Sequence, residues 1–102
     1  MTVQDTLNER GKRYGDFTVH ATVAQDLQCT MHNTPQWPGL MPEQKQALTV
    51  IADKIARILC GDPNYADNWH DIQGYARLVE ERLPKPDRAA QIRAFLDGAC
   101  ES

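Results

Sequence analysis

The 102 residues, 41% apolar and 25% charged, support one domain with a single modest core and exclude wholesale disorder. A formal charge of −3 argues against general nucleic-acid binding, which draws on a basic face, but leaves room for a small basic pocket. No apolar run approaches the ~20 residues of a membrane span, the opening residues are too polar for a signal peptide, and Cys29, Cys60 and Cys100 form neither a zinc spacing nor an even disulfide framework; the expectation is a chain with reduced thiols in the cytoplasm, not a membrane protein.

Residues 2–13 read as a short polar helix with Val3 and Leu7 on one face, interrupted by Gly11 and then by Tyr14-Gly15. Asp16 or Thr18 can cap a second helix, in which Val19, Val23, Ala24, Leu27 and Met31 make an apolar stripe. Residues 32–41 hold Pro35, Pro38 and Gly39 around Trp37 and read as a loop. The strongest helix runs from about Pro42 to Cys60, with Pro at its first position, Glu43 complementing the dipole, and Gly61 expected as a left-handed stop. Its inward face is expected to be Leu48, Ile51, Ile55, Ile58 and Leu59. A further helix is expected from Asp67 to Leu83, ended by Pro84 and Pro86, with Ile72, Tyr75, Ala76, Val79 and Leu83 inward. The last, about Asp87 to Asp97, is expected to bury Ala90, Phe95 and Ile92, and Gly98 ends it. No segment alternates as a strand would, so the fold is expected to be all-α, a single helical domain over residues 1–102 built on the antiparallel hairpin of the third and fourth helices.

The chemistry concentrates around that hairpin. Asp67 and Asp71 are at i, i+4, so both carboxylates leave one helix face and can share a Mg2+ ion. The same acids also suit a helix start, Asp67 as a cap and Asp71 in the first turn. Lys54 and Arg57 precede the acidic loop; Arg offers a planar fork for phosphate and Lys a mobile charge, although snorkelling or an ion pair with Asp67 or Asp71 explains them equally well. Arg10, Lys12, Arg13, Tyr14 and Gly15 form a basic and aromatic turn. There Gly15 can admit a ligand to the backbone and Tyr14 can stack on a base. His20 is a candidate donor to a ligand, or a helix residue near the surface. Trp37 and Trp69 are candidate plates for a nucleobase, or covers of a small core, and Tyr75 is a third candidate for contact with the base.

Three runs carry a resemblance: Arg10 to Phe17 (RGKRYGDF), Ala47-Leu48 through Lys54 to Leu59 (KIARIL), and Gly61 to Trp69 (GDPNYADNW) with Asp71 to Ala76 (DIQGYA). Together they look like a family of small bacteriophage and prophage proteins, over nearly the whole chain to about residue 83. More distantly the chain resembles the MazG-like all-α nucleotide pyrophosphatases, which pair a Glu-Glu-x-x-Glu helix with a second helix carrying two further acids that hold Mg2+ over a triphosphate. Asp67 and Asp71 match the second pair. The first cluster is not matched, because Lys54 and Arg57 stand there with Asp53 as the one nearby acid. Metal-dependent hydrolysis needs ligands for the ion and a base for water; bases in place of acids neutralise phosphate directly and favour binding over turnover. The resemblance also implies a homo-oligomer, most simply a homodimer.

The expectation is therefore a phage-derived helical protein that binds a nucleotide or nucleotide-derived small molecule, sequestering an immune signal of the bacterial host or tuning nucleotide pools. The alternatives are a divergent Mg2+-dependent nucleoside triphosphate pyrophosphohydrolase, and a helical adaptor that inhibits a host protein through its Trp37 loop.

Overall fold

Thr2 opens the first helix with a reciprocal cap: its hydroxyl accepts from the Asp5 N–H, and the Asp5 carboxylate accepts from the Thr2 N–H, both at 3.1 Å. The bond that the carboxylate accepts from the Thr2 N–H, and after it the nearby Thr2 hydroxyl, hold the Asp5 carboxyl below its ordinary range. The computed structural model describes residues 2–84 and 88–98. They form α1 (Val3–Tyr14), α2 (Phe17–His32), a single 3-10 turn at Trp37–Gly39, α3 (Pro42–Cys60), α4 (Ala66–Glu80) and α5 (Arg88–Gly98). The fold of the described residues is all-α, and no helix among them is long and apolar enough to cross a membrane. Cys29 and Cys60 are free thiols, while Cys100 lies outside the described residues.

Several boundaries follow from local chemistry. Gly11 does not interrupt α1, which continues to Tyr14; one glycine in a helix costs too little to end it. Asp16 caps α2, its Oδ1 accepting from the Val19 N–H at 3.1 Å. The proline-rich stretch after α2 is not wholly irregular, since Trp37-Pro38-Gly39 close one 3-10 turn with Pro near its start. α3 has the expected bounds, with Pro42 first and the Gln44 side chain accepting from the Met41 N–H at 2.8 Å. α4 starts one residue earlier than expected, with Tyr65 at the cap and Asp67 inside the first turn, and it ends at Glu80 rather than Leu83. Asp87, the expected start of the last helix, lies outside the described residues.

α3 is central: α2 packs along one of its sides and α4 along another, while α1 touches α2 and α3. The residues that close these seams are small. Ala24 on α2 and Ala47, Ala52 and Ala56 on α3 are the buried apolar side chains among the described residues, and Ala56 is fully buried. Small side chains let helix axes approach closely, so the seams have little spare volume. Replacing Ala56 with Leu is accordingly expected to cost about 1–3 kcal/mol by overpacking, read as a lower urea midpoint at unchanged slope.

The expected apolar stripe of α3 is real, but it is not the buried face of this chain. Ile51, Ile55 and Ile58 are half-buried, Leu48 is 39% exposed and Leu59 is 68% exposed. On α2 the residues Val23, Leu27 and Met31 are half-buried and Val19 is exposed. On α4, Ile72, Tyr75 and Val79 are half-buried, whereas Ala76, and Leu83 beyond the end of the helix, are exposed rather than inward. On α5 both Ile92 and Phe95 are exposed, contrary to expectation, and Ala90 lies outside the described side chains. α1 buries none of its residues, Val3 and Leu7 included.

Candidate functional site

α1 is fixed where its end crosses the α3–α4 loop, and two glycines make the crossing. Gly61 does not adopt the expected left-handed stop; its φ is −123° and ψ −135°. It is glycine because of proximity, since a Cβ there would lie 2.1 Å from the Arg13 carbonyl oxygen and 2.5 Å from the Tyr14 backbone. Gly15 is the left-handed residue, with φ 81°, and its missing Cβ would lie 2.0 Å from the Cys60 carbonyl oxygen. The close approach that Gly15 permits is therefore to the chain's own backbone. The Asp62 N–H then donates to the Arg13 carbonyl at 2.7 Å, setting the last turn of α1 beside the starts of α2 and α4 and the end of α3.

That crossing gathers charged and aromatic side chains from four helices. Asp53 on α3 is the hub. Its Oδ1 accepts from His20 Nε2 on α2 at 2.9 Å, and its Oδ2 lies 3.1 Å from Arg57 Nε one turn along α3. Arg57 Nε is buried, and its angle to Asp53 falls outside hydrogen-bonding geometry, so the contact is an ion pair without a directed bond. The Arg57 guanidinium sits over the Tyr14 ring, 4.5 Å from its centroid, and Arg10 approaches the same ring at 5.8 Å. His20 is buried, not a surface residue.

Beside this hub, Lys54 Nζ reaches across the hairpin to Asp71 Oδ2 at 3.0 Å. Arg13 stacks on Tyr65 at 4.9 Å, bonds its hydroxyl at 3.3 Å, and pairs with Glu9 at 2.6 Å. The Tyr65 hydroxyl in turn donates to Asp67 Oδ2 at 2.9 Å. Tyr14 and Tyr65 meet edge to face, centroids 6.2 Å apart. Asp67 and Asp71 thus leave one face of α4 but are engaged separately, one by a phenol and one by an ammonium. Among the described residues no group of three or more His, Cys, Asp or Glu side chains could hold a metal ion. A resident Mg2+ in this protein's own oxygen cage does not fit. Two carboxylates suffice for an ion that brings other oxygens with it.

The Tyr65 hydroxyl gives the site a pH signature. Its bond to Asp67 raises the phenol above the ordinary value of 10.0, desolvation adds to this, and the Arg13 charge opposes it. The folded state therefore favours the protonated phenol. Its contribution to stability is intact below the unfolded value and is lost as pH climbs through the folded one. In an ultraviolet titration of the three tyrosines, Tyr65 is expected to ionise after its ordinary range, and Asp67→Asn to bring it back.

Not every expected site residue joins this cluster. Trp37 packs on His32 with ring centroids 4.5 Å apart, at the start of α3. Pro42 and Arg57 are about 22 Å apart along the α3 axis at 1.5 Å per residue, so Trp37 stands near the opposite end of α3 from the hub. Trp69 is two residues from Asp71, and such residues point to opposite sides of a helix. Its indole N–H donates to the Pro63 carbonyl at 2.8 Å and its ring is half exposed. Tyr75 lies one turn beyond Asp71 and is half-buried. Lys12 is exposed.

Three members of the neighbourhood were not candidates from the sequence. Asp53 was visible only as a nearby acid, although its i, i+4 spacing to Arg57 is a pairing signal. Tyr65 read as a loop residue. Asn68, the residue after Asp67 in the first turn of α4, is almost wholly buried and its Nδ2 has no hydrogen-bond partner. Nothing in one sequence separates a buried helix-start amide from an exposed one.

A family described as "Domain of unknown function (DUF6378)" matches this chain over residues 2–83. The matched region takes in α1 to α4 and so every residue of the cluster, and it ends before α5. No curated protein and no solved structure matches the chain at a significant level.

Proposed function

We propose, for a chain that belongs to the DUF6378 family, that it binds a nucleotide or nucleotide-derived small molecule at the corner where α1, α3 and α4 meet. Arg57 carries the reading. Its guanidinium is oriented by the Tyr14 ring and by Asp53 rather than left to wander in solvent, which is how an arginine is prepared for a phosphate fork. Lys54, one turn earlier, is mostly buried and held by a single carboxylate. An incoming phosphate exchanges the Lys54–Asp71 pair for a Lys54–phosphate pair. The freed Asp71, with Asp67 on the same face, is then placed to accept Mg2+ that arrives on the ligand. Tyr14 and Tyr65 take the aromatic role that Trp37 and Trp69 are not placed to fill.

In the single chain Asp53, Asp67 and Asp71 are each engaged, and the Asp71 that phosphate releases is taken up by the ion rather than left to activate water. This supports binding over hydrolysis, and with it sequestration of a signal or control of nucleotide pools, in keeping with the resemblance to small phage proteins and to MazG-like enzymes. The open stripe of Leu48, Ile51, Ile55 and Leu59 supports a homodimer, since an apolar face of this kind is ordinarily covered.

The test is incubation with a panel of nucleoside phosphates, cyclic nucleotides and ADP-ribose-type molecules, with and without Mg2+, then heat denaturation and mass spectrometry of the released material. Recovery of an unchanged ligand is expected. Release of a cleaved product would replace this reading with the pyrophosphohydrolase one, and retention of nothing would remove both.

A further inference from the structure

Two apolar surfaces in this chain are left uncovered, and they are complementary. The first is a groove of about 260 Å³ between α3 and α4, lined chiefly by Leu40, Ala47, Leu48, Ile51, Ala76 and Val79. The second is α5, whose Ile92, Phe95 and Leu96 stand at i, i+3, i+4 and are 57%, 74% and 65% exposed. α5 lies beyond the residues that define the family. Among the described residues the groove is lined by α3, α4 and the loop before α3, and the Ile92, Phe95 and Leu96 stripe of α5 stays exposed rather than seated in it.

We infer that the groove receives α5 of a second copy, in a reciprocal exchange that closes both grooves of a homodimer. The inference rests on the homodimer proposed above and gives it a surface. The stripe has the spacing of a helix laid into a groove. At about 1.5 Å per residue, the eleven-residue α5 is long enough to cover the two turns of α3 from Gln44 to Ile51. Charge agrees: Glu80, next to Val79 at the groove's end, and Arg93, next to Ile92 on α5, are both exposed and opposite in sign. Two-fold symmetry makes each contact twice, so a weak individual docking becomes a stable pair. The occupied face is the one that bears the Leu48 and Ile51 stripe, leaving the Arg57 cluster on another side of α3 uncovered.

Sedimentation of the full chain and of Phe95→Ser tests this. Phe95 is exposed in the single chain, so circular dichroism should be unchanged while dimer affinity falls about a hundredfold or more, the substitution counting twice. In a second arm, heavy-isotope Ala76→Cys is mixed with light Leu96→Cys and oxidised. A heavy–light disulfide joining residues 76 and 96 is expected. A parent that sediments as a monomer at high micromolar concentration overturns both the inference and the homodimer. A Phe95→Ser dimer as tight as the parent, or no disulfide between those positions, overturns the exchange alone and leaves a dimer built on another face.

Discussion

Replacing Arg57 with Ala is expected to weaken retention of the nucleotide by about 1.5–3 kcal/mol, roughly a 10- to 150-fold loss, the scale of a hydrogen bond to a charged group. The variant should keep its helices. Arg57→Ala loses the packing of the guanidinium on Tyr14, but it leaves the buried alanines of α3 in place, and Asp53 keeps its bond from His20. Arg57→Lys should fall between the two, because it restores charge but neither the planar fork nor the stacking on Tyr14. Calorimetric titration with the ligand recovered from the panel decides the matter. An Arg57→Ala protein that binds that ligand as tightly as the parent would show that the arginine is only a partner for Asp53, and the phosphate assignment would fall.

The largest effect on stability is expected at Gly61. An added Cβ there meets backbone, the Arg13 carbonyl at 2.1 Å and Tyr14 at 2.5 Å, and backbone cannot yield as the far end of a side chain can. Either the Asp62–Arg13 hydrogen bond breaks or α1 leaves its seat. Gly61→Ala should therefore cost about 3–5 kcal/mol, at the exceptional end of single substitutions, against a total of about 5–15 kcal/mol for a domain of this kind. Gly11→Ala is the control. It sits within α1 with nothing near its missing Cβ and should stabilise by about 0.5–1 kcal/mol. Thermal and urea unfolding of the two variants should move in opposite directions, and equal small shifts would refute the steric account of the crossing.

Much of the fold is legible in the sequence where the signal is local. Pro42 marks the start of α3 because a missing N–H acts at its own position, whereas Gly61 follows the helix for a tertiary reason, the crossing with Arg13 and Tyr14. Asp67 misled for a related reason: an acid near a helix start resembles a cap wherever it falls in the first turn, and here Tyr65 holds the cap position. The apolar stripe of α3 was found, but periodicity reports that a face is apolar, not what covers it. In the single chain the alanines that flank the stripe are buried, while Ile51, Ile55 and Ile58 are half-buried and Leu48 and Leu59 are exposed. The candidate site was half legible. Lys54, Arg57, Arg13, Tyr14 and Asp71 are marked by residue type, and they do converge. Asp53 is marked by its i, i+4 spacing to Arg57 and His20 by residue type, but the pairing of His20 with Asp53 and of Tyr65 with Arg13 is chosen by tertiary geometry, which no spacing along one chain reveals. Trp37 and Trp69 stand in polar stretches of the sequence, a setting shared by a base-stacking ring and by an indole engaged by its own chain, as both are here.

The glycine crossing also sets the order in which the site assembles. α2, α3 and α4 are neighbours in sequence and can pair as each emerges, whereas Arg13 must wait for Tyr65, 52 residues later, and that loop closure is among the slower events available to so small a chain. No residue of α1 is fully buried and only Arg13 and Tyr14 at its end are half-buried, so little besides the crossing recovers the entropy of docking it. The arginine stacked on Tyr14 and the phenol bonded by Arg13 are thus completed last in folding and undone first in partial opening. The three-helix layer can persist through such openings while the α1 side of the binding corner comes and goes.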